Sequence, residues 1–267
     1  MYTPRFIVLH FWRTVAQFIS QTVMRLKDLL SRRYNMFGRK LITLFNSIEL
    51  TVSRTHFFGV PRVWEKFNVA MVEKGRSSNW LKRKISAWTR NKGLEMLAIR
   101  ENPSIRPGSK FPFMWTVAKK VFQQVREAIG LDRCRILLTG AAPINRSTLE
   151  FFHSLDIPVL ELFGMSEGTG PATISHLSGK GLKLGSCGVP LPGTEIKIEH
   201  DPSRDKPGEG EILIRGRHVM AGYLYDQKKT EESIDKAGWL HSGDVGKVDS
   251  YGRLYITGRI KELLIGR

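Results

Sequence analysis

Between Cys134 and Phe163 the chain reads as strand, turn, helix, strand, and that order of elements commits it to a parallel sheet. Cys134-Arg135-Ile136-Leu137-Leu138-Thr139 is an apolar run of strand length, and Gly140-Ala141-Ala142-Pro143 is the turn after it. Residues Arg146–Leu155 carry helical periodicity, and Val159-Leu160-Glu161-Leu162-Phe163 is a second buried strand. Two strands joined through a helix form a βαβ unit, whose strands run parallel. Ligands of open parallel sheets sit beyond the carboxyl ends of the strands. Both Thr139-Gly140-Ala141-Ala142-Pro143 and Phe163-Gly164-Met165-Ser166-Glu167 are expected at such ends.

The pattern differs on either side of this unit. From Phe57 to Gly130 it is helical: Pro61 suits a first helical position ahead of Arg62–Phe67, Asn102–Gly108 is a break, and Val117–Ile129 is a further helix stopped at Gly130. After about Gly185, Thr194–Glu199, Gly210–Arg215, Val245–Asp249 and Leu254–Thr257 alternate between apolar and polar residues and are bounded by Gly, Pro and Asp. They predict antiparallel strands. The expected fold class is α/β, a parallel βαβ portion followed by a small antiparallel β-barrel-like subdomain. The expected divisions are 1–56, 57–185, 186–258 and 259–267.

The net charge of +17 is carried entirely by the first half. Residues 1–130 hold 24 Lys/Arg against 7 Asp/Glu, whereas residues 131–267 hold 18 of each. Such asymmetry points to nucleic acid, an anionic membrane surface or an anionic substrate, or else to a solvated helical face. Residues 6–33 read as a basic amphipathic helix, too interrupted by His10, Arg13 and Gln17 for a membrane span of about 20 apolar residues. That helix suits a membrane interface, a partner surface, or sequence from a mis-assigned start. Two cysteines, Cys134 and Cys187, exclude a disulfide framework, and no Cys/His spacing suits zinc.

Three short motifs carry the chemistry. In the first, Phe163 offers a ring for a base, Gly164 allows close backbone approach, Ser166 can hydrogen-bond a phosphate or carboxylate oxygen, and Glu167 can hold Mg²⁺. Taken alone, the pentapeptide reads more simply as a strand-to-loop turn. In the second, Asp244 of Trp239-Leu240-His241-Ser242-Gly243-Asp244 can accept both hydroxyls of a ribose, or can simply close an Asx turn. In the third, Thr257-Gly258-Arg259-Ile260-Lys261-Glu262, Arg259 offers an always-charged donor set toward the same sugar, or is a solvated arginine at a strand end. His218 and His241 are weaker acid/base candidates, since lone histidines are more often structural.

Together with Thr139–Pro143, Gly59-Val60-Pro61-Arg62-Val63-Trp64-Glu65-Lys66 and Gly216-Arg217-His218, these motifs resemble those of the adenylate-forming (AMP-binding) acyl-CoA synthetases. Within them the chain is most similar to the long-chain fatty acid ligases of the bubblegum type. The resemblance runs from about Phe57 to Arg267 and is weaker over residues 77–130. It implies part of the N-terminal domain of that family. It implies nucleotide contacts from Gly140, Ala141, Ala142, Pro143, Glu161, Leu162, Phe163, Gly164, Met165, Ser166, Asp244 and Arg259, catalytic roles for Ser166 and Glu167, Mg²⁺ on Glu167, and a hinge at Lys261. The implied substrates are a long-chain fatty acid, ATP and coenzyme A, in a cytoplasmic location with possible peripheral contact with the endoplasmic reticulum or other membranes. Trp64 and Phe67 are placed by the resemblance beside an acyl tunnel, although their pattern alone reads as core.

Two parts of the family pattern do not appear in this sequence. No segment matches the Ser/Thr/Gly-rich phosphate loop, and nothing follows the hinge to supply the C-terminal lysine domain. The expectation is that these 267 residues alone adenylate poorly or not at all. Two further readings are a non-catalytic product that binds acyl chains, AMP or membrane, and a nucleic-acid binder. Scattered basic residues without an aromatic–basic platform argue against the last.

Overall fold

The computed structural model describes residues 55–108, 111–179 and 181–265, within a compact unit of Arg54–Arg267. The basic helix expected over 6–33 lies outside the described residues. In chain order the elements are β1 (His56–Gly59), α1 (Pro61–Arg76), α2 (Trp80–Glu101), α3 (Phe111–Ala128), β2 (Ile136–Thr139), α4 (Arg146–His153) and β3 (Val159–Met165). A 3₁₀ turn (Ser166–Gly168) then leads to β4 (Gly170–Ile174), β5 (Val189–Pro190), β6 (Thr194–Glu199), β7 (Gly210–Gly216), α5 (Gln227–Ser233), β8 (Leu240–Val248), β9 (Leu254–Arg259) and α6 (Ile260–Ile265).

The first sheet has the order β1-β2-β3-β4-β5. Strands β1, β2 and β3 are parallel, with Phe57 opposite Leu137 and Leu138 opposite Leu160. The βαβ unit is therefore present, and α4 starts from Asn145, whose side chain accepts the Ser147 N–H at 3.0 Å. The sequence reading missed β1, which it placed in a helical stretch. It also ended β3 at Phe163, whereas the strand runs on to Met165 and turns back antiparallel as β4.

The Gly59–Lys66 motif has a structural explanation. Pro61 occupies the first turn of α1, where its missing N–H costs nothing. Three residues on, Trp64 is wholly buried. Its indole N–H donates to the Gly59 carbonyl at 3.0 Å and lies 3.3 Å from that of Leu138, tying α1 to β1 and β2. Its ring meets Phe57 edge-on at 5.2 Å and Phe152 of α4 at 5.1 Å. Trp64 is thus a core residue, as its pattern suggests, and holds the helices to the parallel sheet.

The second sheet is antiparallel, in the linear order β6-β7-β8-β9. It is an open sheet rather than a closed barrel. Along β6, Ile196 and Ile198 are half-buried while Glu195, Lys197 and Glu199 face solvent, the alternation that a one-sided sheet requires. One apolar cluster joins the two sheets: Phe163, Ala172 and Cys187 pack with Ile212, Ile214, Leu240 and Leu254.

Candidate functional site

The residues singled out by the sequence fall into three groups, each held by its own backbone. The first is the turn after β2. Thr139 pairs with Glu161 across the parallel strands, and Ala141 adopts a left-handed conformation with φ 68°, which small residues tolerate best. A Cβ on Gly140 would stand 2.5 Å from the Leu162 side chain. The turn therefore lies flush against Glu161 and Leu162, and Ala141, Ala142 and Pro143 are exposed beyond it.

Glu161 is mostly enclosed. One carboxylate oxygen accepts the Gly185 N–H at 2.7 Å. Burial pushes its carboxyl up to about 7, with the Gly185 N–H and the nearby Arg146 charge pulling the other way. A carboxyl raised in the fold contributes stability that is complete below the ordinary carboxylate range and is lost as pH rises through about 7. Glu161→Gln, which keeps an oxygen for Gly185, is therefore expected to match the parent in urea denaturation near pH 5. It should exceed the parent by about 2 kcal/mol above pH 8. An equal difference at both pH values would contradict this assignment.

The second group is the Gly164–Glu167 segment. Phe163, expected to stack on a base, is buried in the cluster between the sheets. Strand alternation turns its ring toward that cluster. Gly164 is obligatory for another reason: a Cβ there would lie 2.1 Å from the Gly170 carbonyl oxygen, at the bulge where β3 pairs with β4. Met165 packs against the same core, while Ser166 is exposed and Glu167 half-exposed on the 3₁₀ turn.

The segment after β7, which begins with Arg217-His218 of the Gly216-Arg217-His218 motif, braces this turn at three points. The Thr169 hydroxyl donates to the His218 carbonyl at 2.6 Å, the Met220 N–H to the Glu167 carbonyl at 2.7 Å, and the Tyr223 hydroxyl to the Glu167 carboxylate at 2.9 Å. His218 thus serves through its backbone, and burial lowers its ring's affinity for a proton.

The third group is Asp244 with Arg259. They are directly opposed on β8 and β9, and the Arg259 Nε–H donates to Asp244 Oδ1 at 2.9 Å. Asp244 is 9% exposed whereas the Arg259 side chain is 66% exposed. The carboxylate is therefore fixed and the guanidinium reaches outward. Burial raises the Asp244 carboxyl and Arg259 opposes that shift. Lys261 is exposed just beyond, on α6.

The sequence reading missed Glu211, which organises this third group. One of its carboxylate oxygens accepts the Gly243 N–H at 3.0 Å, and the other sits 3.1 Å from His241 Nδ1. A single side chain on β7 thus grips the His241–Gly243 approach to Asp244. His241 is occupied here rather than free for acid/base work. Glu199, Glu211 and His241 bring ligand atoms within 4.8 Å of one another. Glu199, however, is paired with Lys197 at 2.9 Å and Glu211 is engaged with the loop, so these groups serve each other.

The second and third groups share structural support. Glu167 and Asp244 each lie four residues beyond a member of the shared core, Phe163 and Leu240 respectively. The loop that braces Glu167 leaves from β7, the strand that pairs with Asp244's own strand.

An α/β unit with small-residue turns at its strand ends, joined to an antiparallel sheet presenting a paired aspartate and arginine, is the setting of a nucleotide-binding enzyme domain. A family model described as AMP-binding enzyme matches residues 49–224, and the chain belongs to that family. Among its relatives is the long-chain-fatty-acid–CoA ligase ACSBG2 of Xenopus laevis, 52% identical over 215 residues, a match covering 80% of this chain and 28% of that protein. The Homo sapiens protein of the same name is 42% identical over 215 residues, covering 80% of this chain and 31% of its own length. The chain thus spans under a third of the length of these relatives. Among solved structures, O-succinylbenzoate coenzyme A synthetase of Bacillus subtilis, in complex with ATP and magnesium ion, is similar over 49% of this chain and 27% of its own, with 34% identity and a TM-score of 0.43.

Proposed function

We propose that this chain supplies part of the nucleotide site of a long-chain-fatty-acid–CoA ligase. The observation that carries the reading is the Asp244–Arg259 pair: a buried carboxylate held in place by a cross-strand arginine, with the guanidinium still facing solvent. Such a carboxylate has one oxygen committed to Arg259 and further lone pairs for two vicinal ribose hydroxyls. The Gly140–Pro143 turn walls the adenine, Glu161–Met165 lies beneath it, and Ser166 and Glu167 face the phosphates. Lys261 marks the hinge. The divisions at residues 57, 186 and 259 follow the same reading.

In this reaction a fatty acid carboxylate oxygen attacks the α-phosphorus of ATP, and pyrophosphate leaves. The coenzyme A thiol then attacks the acyl carbon, AMP departs, and a thioester remains. Neither step needs a covalent bond to the protein, so the residues act by positioning and charge. The Glu167 carboxylate accepts the Tyr223 hydroxyl, and a carboxylate is the donor type that suits Mg²⁺. Bound there, Mg²⁺ supplies neutralisation of the phosphate charge. Peripheral contact with the endoplasmic reticulum or another membrane, and a cytoplasmic location, belong to the same proposal. Among the described residues no helix is long and apolar enough to cross a membrane.

The test is calorimetric titration of the chain with AMP and with 2′,3′-dideoxy-AMP. Saturable binding of AMP, displaced by ATP and at least about tenfold weaker without the ribose hydroxyls, is the expected result. Equal binding of both nucleotides would remove the role given to Asp244.

A further inference from the structure

We propose that the α1–α2 turn and the first two turns of α2 are a docking surface for a bilayer containing anionic lipid. The inference deepens the membrane contact proposed above by assigning it to named residues. Its first support is charge. Lys74, Arg76, Lys82, Arg83 and Lys84 follow one another with no Asp or Glu among them, the nearest acids being Glu73 and Glu95.

The second support is exposed apolar surface in the same place. Over residues 80–87, the first two turns of α2, every side chain is exposed. Trp80 is 62% exposed, Leu81 51% and Ile85 43%. At 3.6 residues per turn these three occupy an arc of about 140°. Lys82 and Arg83 stand on the two sides of that arc. Lys84 falls inside it and lays its ammonium over the Trp80 ring, 5.1 Å from the centroid. The helix start is rigid, because the Asn79 side chain accepts the Lys82 N–H at 3.0 Å.

An indole and two aliphatic chains, rimmed by cations on long stems, match the boundary between headgroups and acyl chains. The ring and aliphatic groups enter the acyl region while the stems carry their charges back to the phosphates. A nucleic acid would satisfy the cations and could stack on Trp80, but it offers nothing to Leu81 and Ile85. An acidic protein surface would likewise leave the apolar arc in contact with polar groups. A lipid substrate that partitions into bilayers gives such a surface a purpose.

The experiment is cosedimentation of the full 267-residue chain with vesicles of phosphatidylcholine alone, and with vesicles of two parts phosphatidylcholine to one part phosphatidylserine. Binding is expected only to the anionic vesicles. Two triple variants, Trp80→Ser/Leu81→Ser/Ile85→Ser and Lys82→Glu/Arg83→Glu/Lys84→Glu, should each weaken it by about tenfold or more. Circular dichroism should show both folded, since all six side chains are exposed, and AMP binding should be unchanged in both. Trp80→Phe should retain vesicle binding but lose most of the quenching of tryptophan emission by brominated lipid. Parental binding that both triple variants retain would overturn the assignment and move the membrane contact elsewhere, residues 1–53 included. No binding by the parent chain would overturn the membrane contact as well, while AMP binding would still judge the ligase reading separately. Salt-sensitive binding of single-stranded RNA that anionic vesicles fail to displace would overturn it in favour of nucleic acid.

Discussion

Replacing Trp64 by alanine is expected to lower the unfolding free energy by about 4 kcal/mol. The side chain is wholly buried against Phe57 and Phe152, so truncation leaves a cavity where β1, β2, α1 and α4 meet. It also strips the indole donor from the carbonyls of Gly59 and Leu138. Trp64→Phe separates the two contributions, because phenylalanine refills most of the volume but donates nothing. Its cost should be about 1–2 kcal/mol, the size of one lost buried hydrogen bond and a modest packing defect. Urea denaturation of the parent and both variants measures this directly. A Trp64→Ala value within 1 kcal/mol of the parent would show that the helices are held to the sheet by something else.

The second large effect concerns binding rather than stability. Asp244→Ala should weaken AMP binding by about 3 kcal/mol, roughly a hundredfold, because two charge-assisted hydrogen bonds to the ribose disappear together. The loss must be specific to those hydroxyls. Affinity for 2′,3′-dideoxy-AMP should change little, so the preference for the intact sugar collapses. A general loss of affinity for both nucleotides would indicate collapse of the β8–β9 pairing instead, since Asp244 also anchors Arg259. Asp244→Asn guards against that outcome. It keeps an oxygen for the Arg259 Nε–H but replaces the other oxygen by an NH₂ donor and removes the charge, so it should fold normally and lose an intermediate amount of AMP affinity.

Much of this fold was legible because its signals are local. The βαβ unit announces itself through two apolar runs and an intervening helical period, and the antiparallel region through alternation such as that of Ile196 and Ile198 with their charged neighbours. The elements that escaped depend on distant partners. His56–Gly59 is a strand only because Ile136–Thr139 pairs with it. Gly170–Ile174 looks like a loop, and Pro171 lacks a ladder donor, yet the strand survives because Pro171 pairs opposite Gly164 at the bulge.

The site shows the same division. Asp244 and Arg259 were visible as motif residues, and their cross-strand pairing is what the structure adds. Phe163 was visible as an aromatic before a glycine turn, and its packing in the cluster between the sheets is what the structure adds. Glu211 left no signal, since a glutamate opening a strand resembles any solvent-facing residue. Its role depends on Gly243 and His241 of a neighbouring strand, about thirty positions away in sequence.

The central claim is that Glu167, Asp244 and Arg259 serve one bound adenosine nucleotide, and a crystal structure of the chain with AMP and Mg²⁺ tests it most directly. The account predicts that the two ribose hydroxyls lie within hydrogen-bonding distance of the Asp244 carboxylate, with Arg259 at the sugar and the phosphate reaching the Ser166–Glu167 turn. AMP bound away from Asp244, or a phosphate directed away from Glu167, would contradict it.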